Sequence, residues 1–119
     1  MSIIQKIVEW GANRGIIQQK PDTNGFIANI VEELAELLEA NKQDDWQGKV
    51  DAINDIMVFC MTELPKYKVD PERSLEETYK EINSRTGAWS DDHQKWMKLK
   101  TPEAKALWYT AVYEKHYHE

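Results

Sequence analysis

Between Ile27 and Leu38 the chain is apolar at positions 27, 30, 31, 34, 37 and 38, the three-to-four spacing of one helical face. That pattern predicts a long helix from about Phe26 to Asn41. A second run, Val50 to Met61, is apolar everywhere except Asp51, Asn54 and Asp55. It predicts a helix from about Trp46 to about Leu64, apolar nearly all the way round and ended before Pro65. Lys42 to Asp45 is a short polar connection in which Asp44 or Asp45 caps the next helix, so the two helices should be antiparallel neighbours.

The remaining elements carry weaker patterns. Ser2 is placed to cap a first helix bearing Ile3, Ile4, Ile7 and Val8, with Trp10 near its end; Gly11 and Gly15 weaken any continuation. Lys20-Pro21-Asp22 and Asn24-Gly25 mark turns. Asp70-Pro71-Glu72 opens a helix with Leu75, Tyr79 and Ile82 on one stripe, stopped by Gly87. Trp89 to Lys100, polar with isolated tryptophans, reads as a packed loop. Thr101-Pro102-Glu103 opens a last helix carrying Leu107, Trp108, Val112, Tyr113 and Tyr117. No segment alternates like a strand.

The expected fold is therefore all-α: an antiparallel helical bundle in one domain over 1–119. Its core spans about 1–87, and a loop and C-terminal helix fill 88–119. A helix apolar on every side needs more neighbours than a small four-helix core provides. Completion by oligomerisation, as a homodimer or homotetramer, is expected.

Composition narrows the function classes. At 41% hydrophobic and 30% charged residues, 119 residues make one ordinary globular domain. No apolar run approaches a membrane span and the first residues lack a signal-peptide shape, so no membrane partner is expected. The one cysteine, Cys60, lies on the apolar helix and reads as a reduced thiol in a cytoplasmic protein. A net charge of −6 argues against a nucleic-acid polymer as partner. Setting aside Glu32, Glu33, Glu36, Asp51 and Asp55 leaves 16 acids against 15 bases, so the acidity is concentrated in these two helices.

Those five carboxylates carry the candidate chemistry. Glu32, Glu33 and Glu36 share one side of the first helix, opposite its apolar stripe. Asp51 and Asp55, four residues apart, share a face one turn apart in an apolar run that holds no Lys or Arg. Ionised carboxylates in such a setting are costly unless a cation meets them, and two side by side also repel. A divalent metal is the simplest answer, and oxygen-only ligands point to Mg²⁺ or Mn²⁺ rather than zinc. Such an ion would reverse the local charge and let a polyphosphate bind. Glu-Glu-x-x-Glu by itself also describes a solvated helix face; the mid-helix aspartate pair has few such explanations.

Glu32-Glu33-x-x-Glu36 followed by Asp51-x-x-x-Asp55 resembles the MazG-like, all-α nucleoside triphosphate pyrophosphohydrolases, a superfamily that includes dimeric dUTPases and phosphoribosyl-ATP pyrophosphohydrolases. The resemblance covers roughly Trp10 to Trp96, with Arg14-Gly15-Ile16 before the helices and Asn83-Ser84-Arg85-Thr86-Gly87 after them. It looks nearest to small stand-alone members of phages and mobile elements. Two positions depart from the pattern: Ala52 stands at the glutamate of the usual Glu-x-x-Asp, with Asp51 beside it as substitute, and Asn29 stands where many relatives carry lysine.

The resemblance implies Mg²⁺-dependent cleavage of a nucleoside triphosphate to monophosphate and pyrophosphate. It implies Glu33, Glu36 and Asp55 as metal ligands with Asp51 completing the set. Glu32 is implied as a ligand or as the catalytic base, and Lys80, Asn83 and Arg85 as substrate contacts. The alternative is a non-catalytic helical module that binds a nucleotide or metal without turnover. Outside the motif, Lys80 and Arg85 could equally be surface charges. His116 and His118, in a charged terminal tail, read as solvated, and the tryptophans as core or interface anchors.

Overall fold

The computed structural model describes residues 1–85 and 87–118. Its helices are α1 (Ile3–Asn13), α2 (Thr23–Lys42), α3 (Trp46–Glu63), α4 (Pro71–Asn83) and the short α5 (Pro102–Ala106). Short 3-10 turns occupy Leu64–Tyr67 and Tyr113–His116. A two-stranded hairpin, β1 (Gly87–Ser90) against β2 (Lys95–Lys98), sits between α4 and α5. The chain is all-α apart from that hairpin.

The helix starts reflect local chemistry. Ser2 Oγ accepts from the Gln5 amide at 3.1 Å while Gln5 Oε1 accepts from the Ser2 amide at 2.7 Å, a reciprocal cap. Asp22 accepts from the Gly25 amide at 3.0 Å, so α2 begins at Thr23 rather than Phe26 and the Asn24-Gly25 pair becomes its first turn. Asp45, not Asp44, caps α3 through the Gly48 amide at 3.0 Å. Asp70 caps α4 with Pro71 in the first turn. Each such cap stabilises by about 1 kcal/mol.

α2 and α3 form the central antiparallel hairpin. The beginning of α2 faces the end of α3 across a cleft, and at the other end a Cβ at Gly48 would stand 3.1 Å from the Ala40 Cβ. α1 crosses α3 at the buried Gly11, where a Cβ would lie 3.3 Å from Thr62. Within one chain the core is thin: Ala40, Ala52, Val69 and Ala104 are its buried hydrophobic residues. α3, expected to be largely covered, instead exposes Trp46, Val50, Ile53 and Met57, while α2 exposes Ile27, Val31, Leu34 and Leu38. Both sets repeat at i, i+4, i+7 and i+11, the seam spacing of packed helices. The accessible surface of 8972 Å² exceeds the about 6,700 Å² typical of a folded monomer of 13.9 kDa. The radius of gyration, 17.6 Å, likewise exceeds the about 13.5 Å of a compact chain this long.

Two expectations for the C-terminal third are corrected. Trp89 to Lys100 is not a packed loop: Trp89 pairs with Trp96 across the hairpin, and both indoles are more than half exposed. Four-residue strands are too short to display alternation. The last helix stops at Ala106, and from Leu107 the chain runs as a strap along α4.

That strap is organised by Glu77, which is 1% exposed. Its carboxylate accepts from the Tyr109 hydroxyl, from the Val112 amide at 2.9 Å and from His116 Nε2 at 3.2 Å. Lys115 Nζ lies 3.8 Å away and donates to the Tyr109 hydroxyl at 2.6 Å. His116, expected as a solvated tail residue, is thus held in this cluster with its side chain 22% exposed. Beyond it, Tyr117 bridges to Val69 and the His118 amide donates to the Lys68 carbonyl at 2.8 Å.

The Tyr109 and Val112 hydrogen bonds hold the Glu77 carboxyl down from 4.5 to about 2, against the opposing effect of burial. A depressed folded-state pKa stabilises fully above the unfolded value of 4.5 and is lost as pH falls through about 2. Glu77→Gln should therefore loosen the strap at neutral pH. Hydrogen exchange at Tyr109 to His118 should accelerate in the variant, and in the wild type only as pH drops below 4.5. Equal protection in both proteins at pH 7 would refute this role.

Candidate functional site

Two helical faces meet over a cleft of about 470 Å³, within the range of small-molecule sites. α2 contributes Phe26, Asn29 and Glu33, one face at i, i+3 and i+7. α3 contributes Asp55, Phe59 and Thr62, likewise one face, and continues to Glu63 and Lys66. Trp10 of α1 closes the side. The antiparallel crossing of α2 and α3 is what sets Glu33 and Asp55 on opposite walls.

Glu33 is the group under strain. Its Oε2 is buried without a hydrogen-bonding partner. Burial is the main cause that raises its pKa above the ordinary carboxylate value, followed by the neighbouring Glu36, then Asp55 and Glu32. As carboxylates none of these can donate to another, so ionisation leaves Glu33 unpaired among like charges. No cation from Lys or Arg is among the groups acting on it.

The predicted carboxylates are thus brought together unequally. Glu33 and Asp55 line the cleft; Glu32 and Glu36 are exposed at its rim and act on Glu33 through charge. Asp51 is exposed, does not line the cleft and is not among the charges acting on Glu33. Ala52, where the resemblance leads one to expect glutamate, is 2% exposed and faces inward; Asp51 stands about 100° round the helix from it. Asn29, where the resemblance leads one to expect lysine, does line the cleft.

Lys80, Asn83 and Arg85 do not line the cleft of their own chain. Lys80 Nζ lies 3.9 Å from Glu77 and is mostly exposed, and Asn83 is exposed at the end of α4. Arg85 donates to the Tyr109 carbonyl at 3.1 Å, lies 3.6 Å from Glu81 and stacks 4.3 Å from the Trp108 ring centroid. Its guanidinium anchors the strap. Thr86 of the Asn83–Gly87 segment lies outside the described residues.

Sequence reading missed Glu63 and Lys66, which end the cleft. Glu63 falls eight residues after Asp55, about 80° round α3 from it, and Lys66 lies past the helix in the 3-10 turn, so periodicity alone does not place them in the cleft.

The donor set suits a hard, oxygen-binding cation. An orphaned, buried carboxylate oxygen flanked by further carboxylates is what such an ion relieves. Among the described residues, no group of three or more His, Cys, Asp or Glu side chains is placed to hold a metal ion, so a cation at Glu33 and Asp55 would need further oxygen donors from water or a bound ligand. No helix among the described residues is long and apolar enough to cross a membrane.

A family model described as phosphoribosyl-ATP pyrophosphohydrolase matches residues 18–82, which hold all of α2 and α3 and nearly all of α4. No curated protein and no solved structure matches the chain significantly.

Proposed function

We propose, from the premise that the chain belongs to the phosphoribosyl-ATP pyrophosphohydrolase family within the MazG-like superfamily, a Mg²⁺-dependent nucleotide pyrophosphohydrolase. Its substrate is a (deoxy)nucleoside triphosphate, cut to monophosphate and pyrophosphate. The observation that carries this reading is the unpartnered Oε2 of Glu33, raised in pKa opposite Asp55.

Glu33 and Asp55 would hold the cation from the two walls of the cleft, with Glu36 as a further oxygen donor at the rim; bound there, Mg²⁺ (or Mn²⁺) would supply charge neutralisation for the triphosphate and a more acidic water. Glu32, exposed beside Glu33, takes a proton from the attacking water. The new bond joins that water's oxygen to the α-phosphorus, and the bond to the β-phosphate breaks to release pyrophosphate. Asp51, exposed outside the cleft, takes no part in holding the cation. Lys80 and Arg85 of the same chain are occupied on α4 and its strap.

The partner that completes the fold is a second copy of this chain. The exposed seams of α2 and α3 are supported as its contact by their matching spacing and by the excess surface. A standard interface hides about 800 Å² per partner, well within that excess.

The test is a nucleoside triphosphate panel that includes dUTP. Pyrophosphate, not orthophosphate, should appear with Mg²⁺, and EDTA should stop its release. A panel without turnover excludes the enzyme. The buried Ala52, where the family carries a carboxylate, favours a second reading: a non-catalytic nucleotide-binding module. Nucleotide-dependent stabilisation without pyrophosphate release would select it.

A further inference from the structure

We infer that the outward apolar stripe of α4 packs against the same stripe of a second copy of this chain, a two-fold contact separate from the α2 and α3 seams. With both contacts made, the assembly is a closed tetramer. This goes beyond the nucleotide reading and does not depend on it.

α4 is packed inside out in the single chain. The face it turns inward carries Pro71, Ser74 and Glu77, all buried, and the strap holds Glu77 there. Its apolar residues point the other way: Leu75 is 41% exposed, and Tyr79 and Ile82 are each 60% exposed. The three fall within about 60° of arc, one packing stripe. A helix of a soluble domain turns such a stripe to a core, and the described elements of its own chain leave this one open.

Beside the stripe lies a groove of about 530 Å³, walled by Leu64, Val69, Leu75, Tyr113 and Tyr117. The Thr78 and Tyr113 hydroxyls pair with each other at 2.7 Å along it, which leaves the groove suited to apolar side chains. A protein face with large apolar residues of its own is what fits there.

Charge and area identify that face as a second copy. Glu76 and Lys80 stand one turn apart on one flank of the stripe. Glu76 is exposed and enters no ion pair among the described residues. The Lys80 side chain is 61% exposed, and its Nζ lies 3.9 Å from a Glu77 carboxylate that Tyr109, Val112 and His116 already meet. A two-fold axis perpendicular to α4 makes the two helices antiparallel. Centred beside Thr78 and Tyr79, it sets Leu75 against the partner's Ile82 and Glu76 against the partner's Lys80, twice over by symmetry. Parallel pairing would instead bring each Glu76 to the partner's Glu76, a repulsive match. The surface in excess of a typical monomer is about 2,300 Å², more than twice the about 800 Å² that one standard face hides. The seams alone do not account for it.

Sedimentation equilibrium of the full chain at micromolar concentration, without nucleotide or metal, tests this. The wild type should reach four times 13.9 kDa. Tyr79→Asp sets an unpaired charge in the contact; it should weaken the α4 contact by at least about 100-fold and leave a dimer joined at the seams. Ile53→Asp should leave the other dimer, joined at α4, and the combined variant a monomer. Tyr79 is mostly in solvent in the single chain, so the helical content of its variant should match the wild type. Charge exchange gives a check that keeps the apolar stripe whole. Glu76→Lys and Lys80→Glu should each weaken tetramer formation by about 10-fold, and the double exchange should restore it. A mass that Tyr79→Asp does not change at any concentration overturns the inference, as does a double exchange no better than the single ones. If Ile53→Asp leaves the mass unchanged while Tyr79→Asp lowers it, the seam contact falls and the α4 contact stands.

Discussion

Replacing Glu33 with glutamine is expected to lower pyrophosphate release by at least about 100-fold while making the metal-free protein more stable. The two effects have one cause. Glu33 is half-buried with its Oε2 covered, opposite Asp55 and beside Glu36, and its pKa is raised above 4.5. A raised carboxyl pKa means that the folded state loses stability as pH climbs from 4.5 through the raised value, and the loss persists above it. Glutamine removes that loss together with the oxygen charge that a cation needs.

Thermal melts in EDTA should therefore show the wild type declining from mildly acidic to neutral pH, with the variant flatter and higher at pH 7. Glu77 acts below 4.5, so the two pH windows do not overlap. Adding Mg²⁺ should raise the wild-type melt and leave the variant unmoved. Full activity in Glu33→Gln, or a metal-free melt no higher than wild type, would remove Glu33 from the centre of the site.

The second large effect is expected at the seams. Light scattering should place the wild type at two or four times 13.9 kDa. Ile53→Asp or Met57→Asp should weaken association by about 1,000-fold, since each would bury an unpaired charge against an apolar partner. Both residues are about half exposed in the single chain, so their replacement does not empty its own core. A wild-type monomer at micromolar concentration, or unchanged assembly of both variants, would mean that the seams face water.

How much the sequence reveals depends on the range of the interactions involved. Ser2, Asp45 and Asp70 cap helices through amides two or three residues away, so their roles are visible in a few letters. Glu33 and Asp55 are legible for a related reason: acids in or beside apolar helical runs raise the question of what neutralises them. Asp51 shows the limit of that logic. Its spacing to Asp55 is right, but the helix is rotated so that Ala52 faces inward and Asp51 outward.

The strap was illegible because Glu77 finds Tyr109, Val112 and His116 more than thirty residues later, with no periodicity to announce it. Arg85 is held in the same long-range way: its partners Tyr109 and Trp108 lie across a long connection and engage the guanidinium on the strap. Glu63 reads as an ordinary polar helix end, and its burial, to 7% exposed, comes from packing that no local pattern announces.

Glu77 lies inside the family-matched stretch, 18–82, whereas the groups that satisfy it lie well beyond residue 82. The inherited unit and the appended segment have thereby become mutually dependent. A version trimmed to the shared boundaries would leave Glu77 with the Lys80 ammonium, 3.9 Å away, and with water in place of the donors from Tyr109 to His116.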